Sequence, residues 1–558
     1  MRKLSSILGF AVLSLSSIDV SWQLQENEQI LGMYRQLYAQ ETPWDVFLAK
    51  KAIDEYLERA REQLGPYIKM EQEAIRLRDP YGSSRAKVRM GMDISTEERH
   101  ALKVRYEWVK GGIENFLKLD KPLPEEEIPR IALCGSGGGV RAALCTLGFL
   151  IGAADIEFLD CVLYASALSG SAWLMGSLFS DTRDEDGKLL RRYKDNFIKH
   201  LGHGLMLRLN PLSVKLATEN LLTKFYYGQP LSLIDFWGIM IGEIMLQNLG
   251  LYWHKAALSS QADLMETGAY PFPLYSSIMP MGSGRFEWFE VSPYEVWSDY
   301  LKMAIPTWAF GRKFDNGVSK DFAPEQSLGF YLGVFGSAFE LDLTDFMRHM
   351  GSFLKNPILK GFIKVLLTTS MKDMRLSPAE FRNYTYGMAQ SIIPDKQNIT
   401  LIDAGIDFNL PFPPLLRSGR NLDVIIFLDG SARIKGGREM QGVLRYAQEH
   451  GIPMPTINID ELHMKAISVF DDNLDAPICV YMPRIKNDQY DPNFDPDICA
   501  VSGFCNTMNF EYNEEQACLL SGLTEANMVQ SKEILQDVIR EAIRRRKAKF
   551  GEELERNK

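Results

Sequence analysis

Cysteine is scarce in this chain, with seven in 558 residues (Cys134, Cys145, Cys161, Cys479, Cys499, Cys505 and Cys518) and no Cys-x-x-Cys pair. That excludes a cysteine-based zinc module and a disulfide-framed scaffold. Cys134, Cys145 and Cys161 sit inside apolar runs and read as reduced structural thiols. A bridge within Cys499, Cys505 and Cys518 is open if the protein is exported. No run of about 18 uncharged apolar residues occurs, so no spanning helix is expected. The most apolar stretch, Leu231 to Trp253, carries Asp235 and Glu243 and reads as a buried or interfacial helix. A basic excess is lacking too: 72 acidic residues against 62 basic ones give a formal charge of −10. That speaks against a nucleic-acid partner, which needs a basic face, and leaves room for a local basic patch on a membrane. Histidine, the usual general base, numbers seven, none in a partnering motif.

What is present is ordinary globular composition, 46% hydrophobic and 24% charged, enough for one large α/β domain with an elaborate cap or for several smaller domains. Residues 1–22 combine a short basic start (Met1-Arg2-Lys3) with the apolar run Ile7 to Leu15. They read equally as an export signal or as a helix packed on the domain. The first reading makes the protein exported, the second cytoplasmic and peripheral on membranes. Residues 23–120 have helical spacing, as in AKKAIDEYLERAREQL. A proline-punctuated connector, Lys121 to Pro129, follows. Strand-like runs then alternate with helical ones through a catalytic region 121–547, with a cap region at about 180–395 and a charged tail at 548–558. Strands alternating with helices predict an α/β/α sandwich with a mostly parallel central sheet.

In such sheets reactive groups gather at the carboxyl ends of strands, and three transitions fit that pattern. Arg130 to Cys134 runs into Gly135-Ser-Gly-Gly-Gly-Val-Arg141, a turn whose backbone N–H groups can converge on an anion at a helix start. Its spacing fails both dinucleotide and P-loop patterns, and a purely structural turn is the competing reading. Cys161 to Ala165 runs into Ala167-Leu-Ser-Gly-Ser171, in which Ser169 sits between small residues as a nucleophile-elbow serine does; a helix N-cap serine is the competing reading. Ile399 to Asp403 ends in Ala404-Gly405, so Asp403 is either a cap or a base.

Together and in this order, the glycine turn, Leu-Ser-Gly-Ser and Asp-x-Gly-x-x-Phe-Asn-Leu-Pro resemble the cytosolic phospholipase A2 (group IV) family and its fungal phospholipase B relatives. Gly228 to Ser232, Phe289 to Glu295, Gly333 to Phe339 and Asn409 to Pro413 extend the resemblance over about residues 120–545. It implies a patatin-like three-layer fold and hydrolysis of fatty-acyl esters of glycerophospholipids, as phospholipase A2 or lysophospholipase. In that scheme Ser169 is the nucleophile and Asp403 its base, with no histidine, cofactor or metal. Gly138 and Gly139 donate to the oxyanion, and Arg141 and Arg420 hold the phosphate. Ala167 and Ala404 replace the family's usual glycine and serine; a catalytically inactive lipid-binding relative is the alternative reading. The helical first 120 residues do not look like a C2-type calcium-binding domain, so docking on a membrane or micelle falls to the catalytic domain itself. Phe346 to Leu367, with three lysines and one arginine among apolar residues, suits an interfacial helix or lid, although a cap helix packed on the core is the reading that the pattern alone favours. Ser-Asp-His chemistry through His450 or His463 is a minor alternative.

Overall fold

The computed structural model describes residues 69–181, 189–202, 219–337 (except Leu222, Phe225 and Leu231) and 378–556. The signal-like segment 1–22, the helical region before residue 69 and Phe346 to Leu367 lie outside the described residues.

Fourteen strands alternate with helices: β1 (Arg89–Met90), β2 (Ile131–Gly135), β3 (Tyr164–Ala167), β4 (Phe272–Gly282), β5 (Arg285–Val291), β6 (Glu295–Ser298), β7 (Met303–Pro306), β8 (Phe314–Asp315), β9 (Val318–Ser319), β10 (Ala379–Arg382), β11 (Asn398–Asp403), β12 (Val424–Asp429), β13 (Ser468–Phe470) and β14 (Ile478–Pro483). The helices that concern the site are α1 (Thr96–Leu117), α2 (Gly139–Asp155), α3 (Ser169–Leu178), α4 (Leu189–Leu201), α5 (Leu233–Met245), α6 (Leu328–Phe335), α7 (Arg438–Glu449), α8 (Pro496–Ser502), α9 (Glu514–Gln530) and α10 (Lys532–Arg556).

Twelve strands form one sheet, ordered β1-β7-β6-β5-β4-β3-β2-β12-β14-β13, with β11 on β4 and β10 on β11. The parallel pairs are confined to the five central strands β4-β3-β2-β12-β14. From β4 outward the sheet continues antiparallel through β5, β6, β7 and β1. The α/β class expected from the alternation therefore holds, and hairpins such as the Ser283-Gly284 turn between β4 and β5 account for the antiparallel wing.

Central strands buried on both faces read as unbroken apolar runs rather than alternating ones. β2 (IALCG) and β12 (VIIFLD) are buried at every position. α2 is also buried almost all round, because α9 covers the side turned from the sheet; Thr524 Oγ1 donates to Cys145 O at 2.8 Å across that contact. α1 shares the same core through Val109, Ile113 and Phe116. Its N-cap Ser95 accepts from Glu98 N, and its C-cap Lys118 turns left-handed to end it. Cys499 and Cys505 are bridged, leaving Cys518 exposed and outside the pair.

Candidate active site

β4 does the positioning. Its first half pairs in parallel with β3, ending at Ala167 opposite Tyr275. Its second half pairs antiparallel with β11, ending at Asp403 opposite Ser277. The two neighbours lie on the same edge of β4 and run toward each other. Their ends face the same strand two residues apart, which is roughly 7 Å along the backbone. Ser169 lies just past one end and Asp403 at the other, so both flank the break between β3 and β11.

Ser169 is held at φ +48°, a left-handed conformation that a residue with a β-carbon adopts at a cost of order 1–2 kcal/mol. The helix N-cap is Leu168, with no side-chain capping bond, so Ser169 does not serve as a cap serine. The turn is forced from several sides. Ser171 donates to Ser136 O and is bonded to Thr146 Oγ1 at 2.7 Å. A β-carbon at Gly170 would lie 1.9 Å from Gly139 O, so the elbow and the glycine turn touch backbone to backbone. Further along α3, Trp173 donates to Leu332 O of α6 at 2.8 Å, while Trp237 of α5 donates to Gly336 O just beyond α6 at 3.1 Å. Ser337 Oγ, next in the chain, accepts from Asp403 N at 3.1 Å. One rigid path thus joins the serine helix to the aspartate strand.

Asp403 is fully buried, and its Oδ1 accepts from Gly405 N at 2.8 Å, so it also caps the short turn Ala404–Ile406. The chain beyond is stitched to the sheet: Gly137 N donates to Asn409 O at 3.0 Å and Ser166 Oγ to Pro411 O at 2.8 Å. Asn409 N in turn donates to Glu439 Oε2 at 2.7 Å. Burial raises the Glu439 carboxyl, and Asp429 adds to the shift.

The glycine turn opens α2. Gly138 (φ +134°) and Gly139 (φ +65°) take backbone conformations that side chains resist, which points successive N–H groups the same way at the start of a 17-residue helix. Arg141 lies beneath it, buried. Its Nε donates to Gly430 O (2.8 Å), and its Nη1 to Cys505 O (2.9 Å) and Thr507 Oγ1 (2.8 Å). Its Nη2 lies against Gly138, where a β-carbon would come within 2.4 Å of it. Burial, followed by repulsion from Arg484, lowers the Arg141 pKa to about 10.

Arg420 is not brought to this site. Its Nε and Nη2 donate to the two Glu98 oxygens (3.0 and 3.1 Å), and Nη1 and Nη2 to the two Glu290 oxygens (2.6 and 2.8 Å). Nη1 also donates to Pro414 O, so five bonds use the five guanidinium donors. The group sits over Tyr164 at the opposite end of β3 from Ser169. A phosphate would have to displace two buried carboxylates to reach it. His450 stacks on Tyr446 at the end of α7, with Nδ1 2.8 Å from Tyr446 O. Sequence reasoning missed Ser337 and Thr507. Ser337 lies in the Gly333 to Phe339 run that carried the resemblance, while nothing local marks Thr507.

A strained serine on a strand-to-helix turn, pressed against a glycine turn at the end of a parallel sheet, is the layout of an α/β serine acyl hydrolase. A family model of the lysophospholipase catalytic domain matches residues 131–443, more than half of the chain, and the chain belongs to that family of phospholipid carboxylic ester hydrolases. Mouse cytosolic phospholipase A2 zeta is 24% identical over 95% of this chain and 71% of its own length. Human cytosolic phospholipase A2 beta is 25% identical (85% and 69% covered), and mouse cytosolic phospholipase A2 epsilon 28% (72% and 52%). The chain thus spans between half and seven-tenths of these relatives. The solved structure of human GIVD cytosolic phospholipase A2 shares the fold, with a TM-score of 0.71 at 22% identity over 83% of this chain and 69% of that one. The same protein in complex with methyl gamma-linolenyl fluorophosphonate gives 0.66 at 25% identity, covering 83% and 66%.

Proposed function

We propose that the chain hydrolyses fatty-acyl esters of glycerophospholipids, as phospholipase A2, lysophospholipase or both, through a Ser169–Asp403 dyad. The observation that supports this reading is the head-on approach of β3 and β11 along one edge of β4, with a strained serine just past the end of one and a buried carboxylate at the end of the other.

In this reading Asp403 takes the proton from Ser169 Oγ as Oγ attacks the ester carbonyl. The N–H groups of Gly138 and Gly139 receive the negative charge that develops on the carbonyl oxygen, aided by the positive end of α2. Asp403 then returns the proton to the departing alcohol of the glycerol backbone. A water, deprotonated by the same carboxylate, hydrolyses the acyl-serine and frees the fatty acid. A carboxylate is a weak base for a hydroxyl in water. Asp403 is fully buried, so no bulk water competes with the serine hydroxyl for its carboxylate. Arg141 Nη2, beside Gly138, supplies the cation nearest the reacting carbonyl and is the group assigned to the phosphate. No step calls for calcium. The substrate surface is a phospholipid membrane or micelle, by analogy with the phospholipase A2 relatives.

The test is fatty-acid release from phosphatidylcholine vesicles and from lysophosphatidylcholine, with calcium chelated. Wild type is expected to release acid and to be labelled by a fluorophosphonate probe. Ser169→Ala should lose both, and Asp403→Asn should lose at least about 10³-fold in rate. Vesicle binding with neither hydrolysis nor labelling by wild type would leave only an inactive lipid-binding relative.

A further inference from the structure

Three buried polar side chains near the glycine turn, Arg484, Ser431 and Tyr512, have atoms without a hydrogen-bond partner among the described residues. Arg484 follows β14 and is fully buried. Its Nη2 donates to Ser431 O (3.3 Å) and to Asp497 Oδ1 (3.0 Å), but its Nε and Nη1 have no hydrogen-bond partner among the described residues. Ser431 Oγ and Tyr512 Oη, both buried, are likewise unpartnered. The groups share one neighbourhood. Arg484 N donates to Asp429 O, two residues before Ser431, and both the Arg484 and Arg141 charges act on the Tyr512 phenol and the Cys145 thiol.

Leaving a guanidinium half unsatisfied away from water is expensive, which is why buried charges are otherwise paired. The carboxylates nearby do not fill the need. Asp429 already accepts from Ser431 N (2.9 Å) and from Tyr481 Oη (2.6 Å), Glu439 is turned to Asn409, and Asp497 is half in solvent beyond Nη2. Burial raises the Tyr512 phenol, so it stays protonated and can donate. The set therefore offers N–H and O–H groups, and no carboxylate is hydrogen-bonded to Arg484 Nε or Nη1, to Ser431 Oγ or to Tyr512 Oη among the described residues. The charged Nε and Nη1 of Arg484 can only donate, which an anion meets directly; a water molecule there would give its own hydrogens to Ser431 Oγ or Tyr512 Oη, and the bromide experiment separates the two. Burial of every member limits its size.

We propose that Arg484, Tyr512 and Ser431 form an internal site for a small monovalent anion of halide size, near the oxyanion turn. The occupant braces the Asp429–Ser431 bend, whose Gly430 N donates to Ser136 Oγ (2.7 Å) and whose Gly430 O accepts from Arg141. The site stands independently of the ester chemistry.

Bromide is the probe. Crystals of the full chain grown in sodium bromide should show an anomalous peak within hydrogen-bond reach of Arg484 Nη1. In solution, replacing sodium gluconate by sodium bromide at equal ionic strength should raise the unfolding midpoint by about 2–5 °C. Arg484→Met should abolish that rise and Tyr512→Phe should shrink it. Ser169→Ala should keep it, which separates this site from the hydrolase reading. A rise of equal size in Tyr512→Phe and wild type, or an ordered water at Arg484 in place of the bromide peak, would overturn the proposal. Should Arg484→Met fail to fold, the Tyr512→Phe comparison and the crystal decide.

Discussion

At the scale of single residues, the proposed dyad depends on groups that never touch a substrate. Ser337 Oγ accepts from Asp403 N and donates to Val334 O at 2.9 Å, so it fixes where the strand end stops. Ser337→Ala leaves a buried N–H without its acceptor, a loss of about 1–3 kcal/mol. It also lets the carboxylate drift, so kcat should fall roughly 10-fold with KM nearly unchanged. A fall in thermal midpoint with kcat intact would make Ser337 merely structural. Glu325 gives a prediction about pH. Burial, with a smaller push from Asp79, raises its carboxyl from 4.5 to about 7, although Ser259 N donates to it at 3.0 Å. A raised folded-state pKa means this carboxyl contributes stability that is fully present below pH 4.5 and is lost as pH rises through 7. Glu325→Gln, which imitates the protonated form, should therefore gain on wild type by roughly 1–3 kcal/mol between pH 4.5 and pH 8. Urea melts at both values check the sign; an equal difference at the two would refute it. Ser169 and Asp403 were legible because each ends an apolar run in a small-residue turn. Ser337 and Glu325 were not, because their partners lie 66 residues away in each case.

At the scale of elements, the site exists because starts and ends of elements are pressed together without side chains between them. α2 and α3 both begin at the same point: Gly139 opens one and Ser169 the other, and Gly170 meets the Gly139 carbonyl. The obstructing atom is backbone at the nest itself, so it cannot swing aside. Gly170→Ala should push α3 from α2, abolish fluorophosphonate labelling and lower the unfolding midpoint while leaving a folded chain. Full labelling of Gly170→Ala at the wild-type rate would show that the two turns need not touch. The alternation of strands and helices made the parallel core legible, since a crossover helix demands a parallel neighbour. The split role of β4 was not. Its eleven residues carry β3 and β11 on one edge, and no local pattern in FPLYSSIMPMG records that division. The placement of Ser169 and Asp403 at one break in the sheet follows from that division.

At the scale of the whole molecule, the charges buried deepest join parts of the chain remote in sequence. Arg420 and Arg417 share Glu290 of β5; Arg417 also reaches Glu295 of β6 at 2.6 Å, and Arg420 reaches Glu98 in the first turn of α1. Tyr164 of β3 donates to Glu98 Oε1 at 2.8 Å. Burial alone would push the Glu290 carboxyl up, but Arg420 and Arg417 more than reverse it and hold it below the usual carboxylate range. The helical region before the connector is thereby fastened to the catalytic sheet, as are the carbonyls of Val162, Leu159 and Gly268 by Arg105 of α1. The motif resemblance assigned Arg420 to phosphate because a motif records which residue is present and not which partner is nearer. The two roles predict different failures. If Arg420 is a fastener, Arg420→Met strands two buried carboxylates and should cost about 3–5 kcal/mol, read as a lower denaturant midpoint. Whatever folded fraction persists should keep the KM of wild type for lysophosphatidylcholine. A raised KM with an unchanged midpoint would return Arg420 to the substrate. The same measurement on Arg141→Met should go the other way, with the larger loss in hydrolysis, because only its Nη2 faces the turn where the carbonyl is expected.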